Sequence, residues 1–388
     1  MPDGKILGLP PVAQPLRSLH RGSRMNKRVL LLSVTGDRGY GAERVLATLV
    51  DALPGDFAPR CVLLRPPASS LARWAVGTRA PQRDWPASRD AAIHNSLACL
   101  RAARELRTEG IGLVHAWGAR AFDPALLLGK LLGARVSGTL HDHPRATFLG
   151  RVRRTIIKRS AQRFTPLVCV SHALAEACRD AGWHGEFIVI HNGLTSAPAR
   201  AVNRHNGAVR VGFFGLYSAW KGFDTIRRWV GDADSAVEWH FYGEPAPSLR
   251  AACDELQGRR LSNVVFHGWE DAAGLMDGID VVLHASVEFD PYPTVLLEAA
   301  RAGIPAVASS LGGSQEIVAN GITGFLFSPD DSAKGLKLLR RLASDPALRR
   351  SMGVAARRKF ETELGVGRMV DAYLAVWNAG LTRDVVRE

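Results

Sequence analysis

Two parallel α/β units in tandem are predicted by this sequence, on three observations. From Arg28 onward, short runs of Val, Ile, Leu and Phe alternate with amphipathic helical patterns, the rhythm of strand–helix–strand crossovers. The rhythm stops at one aperiodic stretch, TSAPARAVNRHNGA at 195–208, and then starts again. The 388 residues also exceed what one hydrophobic core usually serves.

The first series opens with the buried strand RVLLLSV (Arg28 to Val34), a loop GDRGYG, and a helix over Ala42 to Val50. It continues with CVLLR, a helix around Ser96 to Thr108, GLVHAW, a helix across Ala125 to Leu132, and RVSGTLHD. A long basic helix follows, then PLVCVS leading into the helix HALAEAC, and FIVIHNGL (Phe187 to Leu194) closes the half. After the linker come VRVGFFG, the helix GFDTIRRWV, and three strands, VEWHFYG, NVVFHGW and DVVLHAS. A helix opened by DPYPT, then IPAVASS and TGFLFS, complete the second series. No fixed-period repeat is visible, which excludes a solenoid or propeller.

Hydrophobic residues at 46% and charged residues at 22% are globular proportions. A formal charge of +13 predicts attraction to polyanions, whether nucleic acid, an anionic membrane face or phosphorylated substrates, and charge alone does not choose among them. Five scattered cysteines without a CxxC pair argue against a disulfide scaffold or structural zinc and fit a reducing cytosol. PALLLGKLLGARV is too short, and too interrupted by Lys130 and Arg135, to span a membrane. Residues 1–24 lack a hydrophobic signal region and read as a disordered extension, with Met25 a candidate start.

The chemistry concentrates in DPYPTVLLEAARAGIPAVA, which begins at Asp290. Pro293 restricts Tyr292 to extended geometry, Thr294 is a favourable N-cap, Val295 to Ala302 read as helix, and Gly303 and Pro305 end it. The free amides of the first turn, at Thr294, Val295 and Leu296, then form an anion site. Helical side chains lean toward the N-terminus, so Glu298 reaches back over that turn. A carboxylate beside phosphate is repelled, whereas vicinal hydroxyls donate to both its oxygens. Asp290 and Glu298 therefore suit a pyrophosphate with a sugar on each side, a nucleotide sugar; the alternative is a turn aspartate and an exposed helix glutamate.

This stretch resembles the signature of retaining GT-B glycosyltransferases of family 4, in which a Glu, seven residues and a second Glu precede a helix ending near G-x-P-V. GGSQEIVANGITGFLFSPDD (Gly312 to Asp331) is similar to that family's GGxxE tail. GYGAERV, LVHAWG, TLHDH, VCVSHALAEA, VIHNGL and FFGLYSAWKGFDT extend the likeness over most of the chain from about residue 28. The resemblance implies two Rossmann-like domains facing across a cleft. An acceptor domain at 25–194 would be completed by a C-terminal helix at about 366–388, and a donor domain would occupy 209–365. It further implies transfer of a sugar from a nucleotide-diphosphate sugar to a glycan or lipid-linked hydroxyl, with retention and with no metal or cofactor. By position, Asp290 would meet the donor sugar, Glu298 the ribose, and His141 the transferred sugar or leaving phosphate. Gly41, Gly215, Lys221 and Pro293 would join the α-helical amides around the donor.

Three departures stand out. Asp290 replaces the usual Glu, so either the sugar sits closer or Glu288 shares its task. Leu216 replaces a usual Arg, at a cost of roughly ten- to a hundredfold in donor affinity, while Lys221 is kept. Tyr40 interrupts the usual Gly-Gly, leaving Gly41 for close backbone approach. These departures keep two alternatives open: a GT-B subunit that binds without catalysing, and a nucleotide-sugar epimerase of the same fold.

Other motifs carry less. The glycines at 36, 39 and 41 fall in the reverse of a dinucleotide fingerprint, and no Walker or G-x-S-x-G motif occurs. The HDH spacing at 141–143 is poor for zinc, and no third ligand accompanies it. RATFLGRVRRTIIKRSAQRF (Arg145 to Phe164) carries Arg145, Arg151, Arg154 and Lys158 among apolar residues and no acid. It reads either as a helix lying on anionic lipid at the cytoplasmic membrane face, beside the acceptor, or as a solvated basic helix. No stacking-aromatic RNA module is present, which argues against nucleic acid.

Overall fold

The computed structural model describes residues 28–34, 41–55, 57, 59–65, 82–86, 92–146, 150–197, 207–232, 236–269 and 276–382. The N-terminal extension with Met25, the glycines at 36 and 39, Tyr40 and most of the linker lie outside them.

In the first half, β1 (Arg28–Val34) leads to α1 (Gly41–Ala52), then β2 (Arg60–Arg65), β3 (Gln82–Pro86), α2 (Ala92–Leu106) and β4 (Ile111–Trp117). Next come α3 (Phe122–Leu132), β5 (Arg135–Leu140), α4 (Arg151–Ala161), β6 (Leu167–Cys169), α5 (His172–Asp180) and β7 (Phe187–Val189). The seven strands are parallel in the order β3-β2-β1-β4-β5-β6-β7. Every β1 residue after Arg28 is buried, as expected of a strand covered on both faces.

The second half runs β8 (Val209–Phe214), α6 (Phe223–Asp232), β9 (Val237–Tyr242), α7 (Arg250–Gly258), β10 (Val264–Gly268) and β11 (Val281–His284). It continues with α8 (Thr294–Ala302), β12 (Ala306–Ser309), α9 (Ser314–Ile317), β13 (Gly324–Phe327), α10 (Ser332–Ser344) and α11 (Pro346–Lys359). A π-helical turn at Phe360–Leu364 then hands over to α12 (Val366–Thr382). Its parallel strand order, β10-β9-β8-β11-β12-β13, reverses direction at its centre like the first sheet.

These reversals position the site. Chain order switches between β1 and β4 in one sheet and between β8 and β11 in the other. At such a point the connections diverge and leave a crevice beyond the carboxyl ends of the strands. Apolar contacts join the halves: Leu296 and Tyr292 belong to the same buried cluster as Leu30, Val170 and Leu174. The helix α12 returns to the first half and packs on α1, where Tyr373 and Trp377 are buried with Val45, Leu49 and Trp117.

The basic segment differs from expectation. It is not one helix from Arg145: Gly150 stands at the N-cap with φ −56° and ψ 158°, and α4 begins at Arg151. Glycine's cost in a helix interior makes it a natural boundary there.

Candidate active site in the cleft between the sheets

A cavity of about 970 Å³ lies where the two switch points face each other. From the second half, Gly215, Lys221, Asp290, Pro293, Thr294, Val295 and Glu298 line it; from the first, Gly41, Trp117, His141 and Arg145.

The helix α8 supplies the second-half wall. Pro293, at φ −66° and ψ 110°, occupies the N-cap that the sequence suggested for Thr294, and no side chain caps the helix. Proline offers no side-chain acceptor, so the first-turn amides keep the positive end of the helix dipole turned to the cleft. Leu296, expected among the donor-binding residues, is 1% exposed in the core, and its N–H donates to Pro293 O at 3.1 Å. Gly41 sits against the same turn, where a Cβ would lie 3.2 Å from Thr294 Oγ1.

Asp290 is 7% exposed. Lys221 Nζ donates to its Oδ2 at 2.7 Å, and His284 Nε2 stands 3.1 Å from the same oxygen, with Ser286 Oγ 3.1 Å beyond. Burial alone would raise the Asp290 pKa, but the Lys221 charge and the His284 contact outweigh it and hold the carboxyl well below its ordinary range. The loop is fixed from beneath by the glycine pair of the tail motif. Gly313 N–H donates to Asp290 O at 3.0 Å, and at Gly312, with φ 59°, a Cβ would overlap Asp290 O. This gives the GG of that motif a steric reason: two backbones meet there.

Glu298 lies one turn into α8, with Arg44 Nη2 of α1 3.5 Å away across the cleft. Burial raises its pKa, while Arg44 and Arg301 pull it back. A carboxylate so placed gains from donors that a ligand brings.

His141, just past β5, packs on Trp117 with ring centroids 4.7 Å apart. Burial lowers its pKa to about 3, so the imidazole is neutral, and its buried Nε2 has no partner among the described residues. Buried polar atoms are almost always bonded, and this one belongs to a residue on the cleft wall. Trp117 also donates from Nε1 to Ala42 O at 2.8 Å, fixing the first turn of α1. Across the cleft mouth, His143 meets Phe289 at 4.8 Å.

Of the four cations assigned to membrane or acceptor, Arg145 alone lines the cavity. Its Nη2 donates to Asp180 O at 2.8 Å, Arg154 donates to Arg145 O at 3.3 Å, and Lys158 to Ala181 O at 3.1 Å. Arg151 lies on exposed α4 beside Val152 and Ile156, which are 76% and 37% exposed. Leu216, in place of the usual Arg, lines the cleft.

Several participants escaped sequence reasoning. Arg44 reads as the polar face of α1, and His284 and Ser286 read as ordinary strand residues; only pairing across long sequence separations reveals them. His172, His191 and Glu316 also converge, with ligand atoms within 4.8 Å of one another, away from the cleft lining.

A family model described as Glycosyltransferase Family 4 matches residues 40–197, and one described as Glycosyl transferases group 1 matches 208–345. The chain belongs to this glycosyltransferase family. Among curated relatives of this glycosyltransferase, the lipopolysaccharide core biosynthesis glycosyltransferase LpsD of Rhizobium meliloti is 27% identical over 353 residues, covering 88% of this chain and 96% of the relative. LpsE of the same organism is 26% identical, covering 86% and 94%. Among solved structures, Anabaena Alr3699/HepE in complex with UDP and glucose superposes with a TM-score of 0.79 at 18% identity, over 91% of this chain and all of that one. The fold is GT-B.

Proposed function

We propose that this glycosyltransferase moves a hexose from a nucleotide-diphosphate sugar to a hydroxyl of a saccharide or lipid-linked acceptor, with retention and without a metal at the reacting atoms, in cell-surface polysaccharide or lipopolysaccharide assembly. One observation carries the reading: the uncapped α8 amides, Lys221, Asp290 and Glu298 line one cleft wall and His141 the other. The lipopolysaccharide-core relatives support the acceptor class, and the neighbour crystallised with UDP and glucose puts UDP-hexoses first among donors.

In this reading the diphosphate lies over the first turn of α8, and Lys221 with the helix amides offsets the charge that grows as the glycosidic bond breaks. Glu298 accepts from the ribose hydroxyls. Asp290, kept anionic by Lys221 and His284, accepts from the transferred sugar. His141, neutral and with its buried Nε2 unpaired among the described residues, hydrogen-bonds that sugar from the opposite wall. The departing phosphate takes the acceptor proton, so no side chain acts as nucleophile. Acceptor delivery at the membrane face is assigned to α4, where Arg151, Val152 and Ile156 are exposed together. Among the described residues no helix is long and apolar enough to cross a membrane.

The test is a thermal-shift screen of UDP, GDP, dTDP and ADP on the purified chain, since a ligand of the native state raises its stability by mass action. Transfer assays with and without EDTA, and the anomeric configuration of the product by NMR, follow for the nucleotide that binds. Absence of any nucleotide-dependent shift, or unchanged turnover in Glu298→Ala, sinks the proposal. A second reading, a GT-B protein that binds donor without transferring it, draws on Leu216 and on the engagement of Lys221 by Asp290. Donor hydrolysis or transfer excludes it, and interconversion of free donor would instead mark an epimerase.

A further inference from the structure

Away from the cleft, a polar cluster joins the two halves. Glu316, on α9, reaches the start of α5: its Oε2 accepts from the His172 N–H at 3.0 Å and its Oε1 from the Ala173 N–H at 2.9 Å. His191, just beyond β7, places Nε2 2.7 Å from that same Oε2. Its ring lies parallel to Tyr292, centroids 5.0 Å apart, and the His172 ring stands edge-on to it at 5.6 Å.

We propose that His172, His191 and Glu316 form a zinc site bridging the two halves of the molecule, because their ligand atoms already lie within 4.8 Å of one another. Two imidazoles and one carboxylate are a borderline-soft donor set that suits zinc and does not suit magnesium or calcium, which prefer all-oxygen shells. Ligands about 2.1 Å from a tetrahedral zinc stand roughly 3.4 Å from each other. The His191–Glu316 contact therefore widens by roughly 0.7 Å when the metal enters, replacing the proton those two atoms share. His172 is exposed and turns toward the site by giving up its edge-on contact with His191. Water fills the fourth position on that exposed side.

The other two ligands are already oriented from behind, as metal ligands usually are. Glu316 is held by the α5 amides and by Lys359 Nζ, which donates to its backbone O at 3.0 Å. His191 is held by the Tyr292 ring. The positive N-terminus of α5 opposes a cation nearby, and the Glu316 carboxylate, placed between helix and metal, offsets that opposition. Because Glu316 comes from the second half and both histidines from the first, bound zinc ties the halves together beside the cleft.

Zinc is titrated into the full chain in competition with a chromophoric chelator, and Tm is read with zinc, with magnesium and with EDTA. Wild type should take up one zinc per chain at this site and gain Tm with zinc but not with magnesium. His172→Ala should bind zinc about tenfold more weakly or worse, with an unchanged Tm in EDTA showing that the fold is intact. The double variant His172→Ala, His191→Ala should lose the zinc-dependent Tm gain. Zinc uptake in His172→Ala as tight as in wild type, or a Tm gain that survives in the double variant, overturns the proposal.

Discussion

The two walls of the cleft are built from different material. Behind the second-half wall, backbone presses on backbone: a Cβ on Gly222, at φ 78°, would overlap Ala285 O, and one on Gly312 would overlap Asp290 O. On the first-half wall the glycine just after β4, Gly118, has φ 87° but no described residue other than its chain neighbours within 4 Å of its would-be Cβ, and side chains such as Trp117, His141 and His143 carry the surface. A backbone-built wall suits a ligand part that does not vary, such as a diphosphate. A side-chain wall can change with the acceptor while the fold stays.

Alanine at the two glycines tests that contrast most severely. Gly222→Ala combines positive φ with a backbone clash and should cost about 4 kcal/mol or more, or roughly 10 °C in Tm for a unit of this size. Gly118→Ala carries the conformational term alone: at φ 87° and ψ 153° it occupies a region left essentially to glycine, at about 1–3 kcal/mol. Equal losses in Tm would mean that the walls do not differ in this way. Next in size, Glu298→Ala removes, in our reading, a pair of charge-assisted hydrogen bonds to the ribose. It should lower kcat/KM by about 10²–10³ and abolish the nucleotide-induced thermal shift.

How far the sequence revealed this depends on what each part rests on. The strands of both sheets and the α8 turn were legible because β-branched runs, Pro293, Gly303 and Pro305 act locally. Strand β3 was not, because Gln82–Pro86 is polar and ends in proline; among the described residues it survives as an edge strand paired with β2 alone. The wrong N-cap has a similar origin, since Thr294 has the better capping chemistry but Pro293 has the φ that the entry requires. Asp290, Glu298 and Lys221 could be named from the motif, yet their partners could not. Lys221 reaches Asp290 over 69 positions, and Arg44 and Glu298 belong to different halves. Glu316 was legible only as part of a tail motif, and its contact with His191 depends on how the halves dock.

His141→Ala sharpens the contrast from the other wall. Its neutral imidazole faces the transferred sugar in our reading, so kcat should fall about a hundredfold while the nucleotide-induced shift in Tm persists. Loss of the shift would place His141 with the donor-holding groups instead.

Acid should also probe the buried histidines of the first half, as it does the second half's His284, whose pKa burial likewise lowers. Burial holds both His115 and His141 at pKa values of about 3. Between the ordinary value of 6.5 and that range, the unfolded chain binds protons that the folded chain refuses. Stability is therefore full above pH 6.5 and falls as pH drops, by up to about 1.4 kcal/mol per unit for each histidine. Asp290 is depressed from 3.8, so its contribution is kept until pH falls below that value. Tm measured at pH 7, 6 and 5 should decline in wild type and decline less steeply in His115→Asn. Substitution of His115 also breaks its bonds to Ser137 Oγ and Thr139 Oγ1, at 2.7 and 2.9 Å, so the slope decides and the height does not. An unchanged slope would mean that His115 is not held neutral.

The smallest effect concerns α4, where neighbouring cations have different tasks. Lys158 Nζ is tied to Ala181 O at the end of α5, whereas Arg151 opens α4 next to exposed Val152. If α4 rests on anionic lipid, Arg151→Ala should weaken partition onto phosphatidylserine vesicles by about 1 kcal/mol, roughly fivefold, and leave Tm unchanged. Lys158→Ala should do the reverse, lowering Tm through the lost bond to Ala181 and changing partition less. Flotation that is indifferent to both substitutions would return α4 to a plain solvated helix, and acceptor recognition would then rest on the cleft's own side chains.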